Sequence, residues 1–360
     1  MRYHLFYIFV SLVLLVLSIM LSGCCDDCDF PLENFDNKTY ATVFEYRELN
    51  ELFTRYGGGW TGGNGGYSIP LPDGRTLWLF GTSFLDTVYS DRTRPADAKY
   101  VRNCFVITDG SDFETLHKGT PEDPLPMIPH EDSSYFYIPL SGQVIGDTLE
   151  IICSVCPQQD ILYGDNEVKG TEIVRYLLPN FELIDRTPKF ISFNFPFGVD
   201  IFADSIYTFI FGTESLLFGR GACVARIPNG SFLQTWEFWT YLNWSESSQY
   251  LAPINKYISG GYSVIKKDGD YFIITLDNGN SPEISLYKSI RFPTDLKRDK
   301  TLFEMDNSYV NIKHGAIILD DKSLDDEIVL LYNSTVGRLY LYGTNADNHT
   351  ISFLRIRDWK

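Results

Sequence analysis

The chain has 360 residues, a formal net charge of −17 and 15% aromatic residues. So acidic a surface repels nucleic-acid phosphates and anionic lipid headgroups, which excludes both as charge-driven partners. With 23 Tyr, 26 Phe, 28 Gly and 17 Pro, and no sustained helical period, the composition is that of an all-β chain with a core sufficient for one or two domains.

Arg2 followed by an almost unbroken apolar run over residues 5–21 reads as a targeting segment. Leu21-Ser22-Gly23-Cys24 resembles a bacterial lipobox. That resemblance implies a lipoprotein signal peptide over 1–23 and acylation of Cys24, which anchors the chain in the bilayer through its lipid and not through a basic patch. A plain secretory signal or an uncleaved anchor is the competing reading. Residues 24–39 form an acidic tether whose Cys25-Asp26-Asp27-Cys28-Asp29 resembles the tract that sends some lipoproteins to the outer face of a Gram-negative envelope. The expected location is therefore the cell envelope, at the outer membrane and surface-exposed.

After a strand near residues 40–46, the stretch 57–85 carries the first strong structural signal. Alternating segments at 67–71 and 76–80 flank Pro72-Asp73-Gly74-Arg75, which predicts a β-hairpin. The start of one hairpin strand and the end of the other share an edge, so Asn64 and Thr82 should lie near each other. The pattern recurs four times, centred on Ile151, Phe209, Ile273 and Leu330 where the first has Trp78. Phe80-Gly81-Thr82 returns as Phe211-Gly212-Thr213, and Gly66-Tyr67-Ser68 as Gly261-Tyr262-Ser263. Weaker strands at 101–108, 172–178, 222–227, 283–289, 338–343 and 352–357 fall between and after the hairpins. One hairpin and two outer strands per repeat make a propeller blade. The prediction is a single five-bladed β-propeller over 40–360, closed by the 40–46 strand joining the last blade.

Seven cysteines in so long a chain do not make a disulfide framework. Cys153 and Cys156 have a metal-like spacing, but residues three apart on a strand point to opposite faces. They read as buried thiols, as do Cys104 and Cys223, and neither a metal nor another cofactor is expected.

The run from Trp60 through Asn64 to Ser68, then Leu77 through Thr82 to Leu85, resembles a group of secreted bacterial five-bladed propellers related to endo-acting D-arabinan hydrolases. More distantly it is similar to the arabinanase and xylosidase clan. The likeness continues through Arg94, Asn103, Val224-Ala225-Arg226, Tyr262-Ser263-Val264, His314 and Leu331-Tyr332-Asn333. It implies a funnel along the propeller axis that holds an oligo- or polysaccharide. It also implies aspartates where this chain has Asn64 and Thr82. Glycoside hydrolysis needs two carboxylates, one held protonated to donate and one to attack or to activate water. Asn supplies neither function, and Thr is no acid at neutral pH and a poor nucleophile unaided.

The family mechanism is therefore expected to be lost, with no catalytic residue remaining at those positions. Asn64, Thr82, Arg94, Asn103, Asp200, His314 and the stacking face of Trp60 are the expected ligand contacts. The reading is an envelope lipoprotein that recognises a glycan without cleaving it. Two alternatives compete: an active glycosidase using relocated acids, Glu214 and Asp277, and a structural partner in a surface polysaccharide-uptake assembly.

Overall fold

The computed structural model describes residues 41–158, 168–190, 196–216, 219–256, 258–277, 283–304, 314–319, 327–333 and 346–360. The signal segment, Cys24, the tether and the strand expected at 338–343 lie outside the described residues. The described strands form a five-bladed β-propeller, as the repeats predict. Blade 1 contains Gly62–Pro70, Thr76–Phe84, Cys104–Asp109 and Asp112–Leu116. Blade 2 contains Tyr135–Ile145, Thr148–Pro157, Gly170–Leu177 and Glu182–Phe190. Blade 3 starts with Phe197–Ala203, Tyr207–Leu216 and Gly219–Pro228 and extends to two short strands, Glu237–Trp239 and Trp244–Ser245. Blade 4 contains Ile258–Lys267, Asp270–Asp277, Glu283–Ser289 and Lys297–Glu304.

Blade 5 is assembled from both ends of the chain. His314–Leu319, Glu327–Asn333 and Ile351–Arg357 are joined antiparallel by Thr42–Glu45, so the expected closing strand is present. The first strand of each blade is innermost and touches the innermost strand of the next blade around the ring. Turn chemistry makes the hairpins tight. Asp268 and Gly269 both take positive φ, 55° and 89°, which a two-residue turn matched to strand twist requires. Asp73 accepts from the Arg75 backbone amide and side chain and fixes the first turn.

The core lies between the blades. Each of the five blade junctions holds its own apolar cluster, such as Leu77, Leu79 and Phe105 against Ile151 and Val174 between blades 1 and 2. Aromatics supply much of the volume, as at Phe197, Trp236 and Phe238 between blades 2 and 3. Cys153 packs at the junction of blades 1 and 2, whereas Cys156 belongs to a separate cluster with Phe136 and Val168. A short helix, Arg47–Phe53, follows the closing strand and was not expected from the sequence. Its Phe53 is buried between Trp60, Trp78 and Phe353, where blade 5 meets blade 1.

Ring closure has an ionic clamp beside it. Glu327 is 4% exposed and receives hydrogen bonds from Arg355 (2.5 Å) and Arg357 (2.6 Å). The same guanidiniums lie over the rings of Tyr46 and Phe44, so they also hold the closing strand. Burial alone would raise the Glu327 pKa, but the bonds and charge of Arg357 and Arg355 outweigh it and hold it below the ordinary value. A depressed carboxylate stabilises the fold above its unfolded pKa, and that contribution disappears as pH falls through the folded value. Glu327→Gln should therefore cost about 1–3 kcal/mol at neutral pH and much less at pH 3. Urea unfolding at both pH values measures this, and an equal loss at both would contradict the clamp.

Candidate functional site

Asn64 and Thr82 face each other across an irregularity in the first hairpin. Gly63 pairs with Ser83 and Gly65 with Phe80, which leaves Asn64 opposite Gly81 and Thr82. Both side chains are half-buried, and neither makes a side-chain hydrogen bond among the described residues. The chain can take this path because Gly62 and Gly63 lack side chains. A Cβ on Gly63 would lie 2.7 Å from Ser83 Oγ and 2.8 Å from Trp60 Nε1, and one on Gly62 would collide with the Arg94 guanidinium. The innermost-strand starts of the other blades stand at this same end of the ring, where the mouth of the funnel is expected. His314 opens the innermost strand of blade 5 here, opposite Asn333; its side chain lies outside what is described.

Three other expected contacts are engaged in the framework. Arg94 is buried, donates to the Thr61 carbonyl at 2.9 Å and lies 4.4 Å over the Phe84 ring. It clamps the segment that leads into Asn64. Asn103 is fully buried. Its amide donates to the Ile128 and Tyr137 carbonyls and its oxygen accepts from the Ile128 amide, so it ties a loop of blade 1 to blade 2. Trp60 was expected to offer a stacking face, and it has none free. It is fully buried, edge-on to Phe53 and 4.6 Å from Phe80.

Of the alternative acids, Glu214 follows Phe211-Gly212-Thr213 near the end of the second strand of blade 3, where blade 1 has Ser83. Burial raises its pKa, Lys256 opposes the rise, and Oε2 is buried without a hydrogen-bond partner among the described residues. Asp277 ends the second strand of blade 4 opposite Ile258, and its side chain is outside what is described. Among the described residues no three His, Cys, Asp or Glu side chains gather as metal ligands.

A cavity of about 550 Å³ occupies the other end of the axis. Its described walls are the last residues of the innermost strands of blades 1–4, with Glu327, Ile328 and Trp359. Asp200 lines this cavity and not the mouth. A register shift between Phe197 and Asp200 sets Asp200 opposite Phe211, while Phe197 takes the place opposite Gly212. Its Oδ1 accepts from the Ile201 amide (2.8 Å) and its Oδ2 from the Val264 amide of blade 4 (2.6 Å). Burial outweighs these two bonds and pushes its pKa up to about 7. Tyr67, whose pKa is raised by burial and by the Asp200 charge, lines the same cavity. The Gly-Tyr-Ser repeat signalled this position in the sequence, but nothing there placed it on the axis.

The fold defines a five-bladed β-propeller. It is similar, at 19% identity and a TM-score of 0.76, to a Bacteroides ovatus protein provisionally described as a hydrolase, covering 90% of this chain and 93% of that one. A glycoside hydrolase family 43 enzyme from Xanthomonas citri, solved with xylotriose, matches at 12% identity and a TM-score of 0.50 over 88% of this chain and 90% of its own. No curated protein sequence matches significantly. The chain belongs to the family described as a domain of unknown function, DUF5005, which spans residues 46–359.

The Asp200 shift has a stability consequence of opposite sign to that of Glu327. A carboxylate whose folded pKa is raised stabilises the fold fully below its unfolded pKa of roughly 4. That contribution is lost as pH rises through the folded value of about 7. Tyr67, Glu327, Lys266 and Lys267 line the same cavity. Between pH 5 and pH 8 the native chain should lose on the order of 2 kcal/mol that Asp200→Asn does not lose. Denaturant titrations at the two pH values check this, and equal slopes for both chains would rule Asp200 out as the titrating group.

Proposed function

We propose that this chain is an envelope-anchored lipoprotein whose propeller mouth recognises a glycan without cutting it by a two-carboxylate mechanism. The observation that carries the reading is the Asn64–Thr82 pair. Two uncharged, half-buried side chains with free hydrogen-bonding capacity stand opposite each other at the mouth of a fold shared with glycoside hydrolases. An amide and a hydroxyl can donate to and accept from sugar hydroxyls, but neither supplies the acid or the nucleophile. Arg94 and Asn103 act here as positioning residues through the strand start and the loop they hold. One observation favours a second reading, an active hydrolase: the raised pKa and unpartnered Oε2 of Glu214 suit a general acid.

A glycan array probed with the full chain, followed by product analysis on each hit, separates the two. Binding without release of new reducing ends is expected. Asn64→Ala combined with Thr82→Val should weaken binding about tenfold, the worth of two ordinary hydrogen bonds. Release of reducing ends that stops in Glu214→Gln would overturn the binding-only reading in favour of the hydrolase. The anchor is tested separately, by metabolic labelling with palmitate. Label and membrane association should both be lost in Cys24→Ala, and label retained there would refute acylation at Cys24.

A further inference from the structure

We propose that the cavity at the hairpin end of the axis is a second binding site, separate from the mouth, for a small neutral polyol of mono- or disaccharide size. Its volume of about 550 Å³ falls within the usual range for small-molecule pockets. Position separates it from the mouth. Its blade 1 wall begins at Tyr67 and runs to Pro70, whereas Asn64 and Thr82 are not part of it.

The lining is polar in a particular way. The hydroxyls of Tyr67, Ser68 and Ser141 all belong to the cavity wall, and among the described residues none makes a side-chain hydrogen bond. Ser141 is only 6% exposed, so its hydroxyl has little access to bulk water in exchange. The walls are also the free edges of innermost strands, each paired on one side only, which adds backbone donors and acceptors. The Asp200 carboxylate completes the set, held by two backbone amides.

Charge selects the ligand class. Lys266 and Lys267 stand against a cation, and Asp200 stands against an anion. Glu327 is already neutralised by Arg355 and Arg357. Among the described lining residues a neutral molecule rich in hydroxyls meets no opposing charge, and the half-buried Phe202 gives the wall apolar surface for its C–H face. The inference does not rest on the reading of the mouth, and either can fail without the other.

The test is calorimetric titration of the full chain with arabinose, xylose, galactose and xylobiose, with glucuronate and glucosamine as charged counterparts. At least one neutral sugar should bind at millimolar or lower concentration, with the charged pair at least tenfold weaker. Hydrogen exchange on the native chain with that sugar should then show protection over 67–70, 141–144 and 264–267. Ser68→Ala with Ser141→Ala should weaken binding at least fivefold. No binding by any neutral sugar, equal binding of the charged pair, or protection confined to 62–65 and 81–83 would each overturn the proposal. The last outcome would leave glycan recognition at the mouth standing. The footprint is read on the unaltered chain, so a misfolded double variant does not obscure the result.

Discussion

Five strands standing side by side around an axis cannot all satisfy their backbones. Each innermost strand pairs with the second strand of its own blade and presents its other edge to neighbours that it touches without pairing. Amides and carbonyls on those edges are withdrawn from bulk water and need partners. The side chains nearest the axis meet part of that need. Asp200 takes the amides of Ile201 and Val264 and so links blade 3 to blade 4. Tyr262 donates from its hydroxyl to the Gly212 carbonyl at 2.6 Å and holds blade 4 against blade 3 from within. Where such side chains end, the axis opens into the hairpin-end cavity.

The same constraint explains why hairpins were easy to read from sequence and the positions of site residues were not. Strand alternation and turn residues such as Asp268-Gly269 are local signals, and they located all five hairpins and the ring-closing strand. Register near the mouth is not local. Irregularities interrupt the innermost strands between Gly63 and Gly65, between Phe197 and Asp200, and between Ile258 and Tyr262. A bulge changes which residue faces which neighbour, so counting along the chain could not show that Asp200, an expected ligand contact, lines the hairpin-end cavity.

Trp60 and Asn103 show a second limit, which is cover supplied from elsewhere in the chain. A tryptophan ahead of a glycine run reads as an exposed platform. The helix Arg47–Phe53 places Phe53 against it and removes the face. Leu49, Leu52 and Phe53 carry the three- and four-residue spacing of a helix, so this signal was present but short. Asn103 stands beside a strand as a ligand-binding amide would. Its three hydrogen bonds go to residues 25 and 34 positions away, partners that no local pattern identifies.

The mouth then poses an electrostatic question that the alternation of strands helps to answer. Two carboxylates across a half-buried gap repel each other and lose hydration, so at least one must hold a proton or find a counter-charge. Asn64 and Thr82 carry no such cost and keep their hydrogen-bonding groups available. Glu214 is an acid in the equivalent part of blade 3, one residue beyond Thr213, and successive residues on a strand face opposite sides. It stands where blade 1 has Ser83, whose hydroxyl turns back to the Gly81 carbonyl and is fully buried. The burial is reversed between the two strand ends: Thr82 is half-buried and Ser83 buried in blade 1, whereas Thr213 is buried and Glu214 half-buried in blade 3. The strand end of blade 1 thus presents an uncharged pair, and that of blade 3 a half-buried carboxylate whose pKa burial raises.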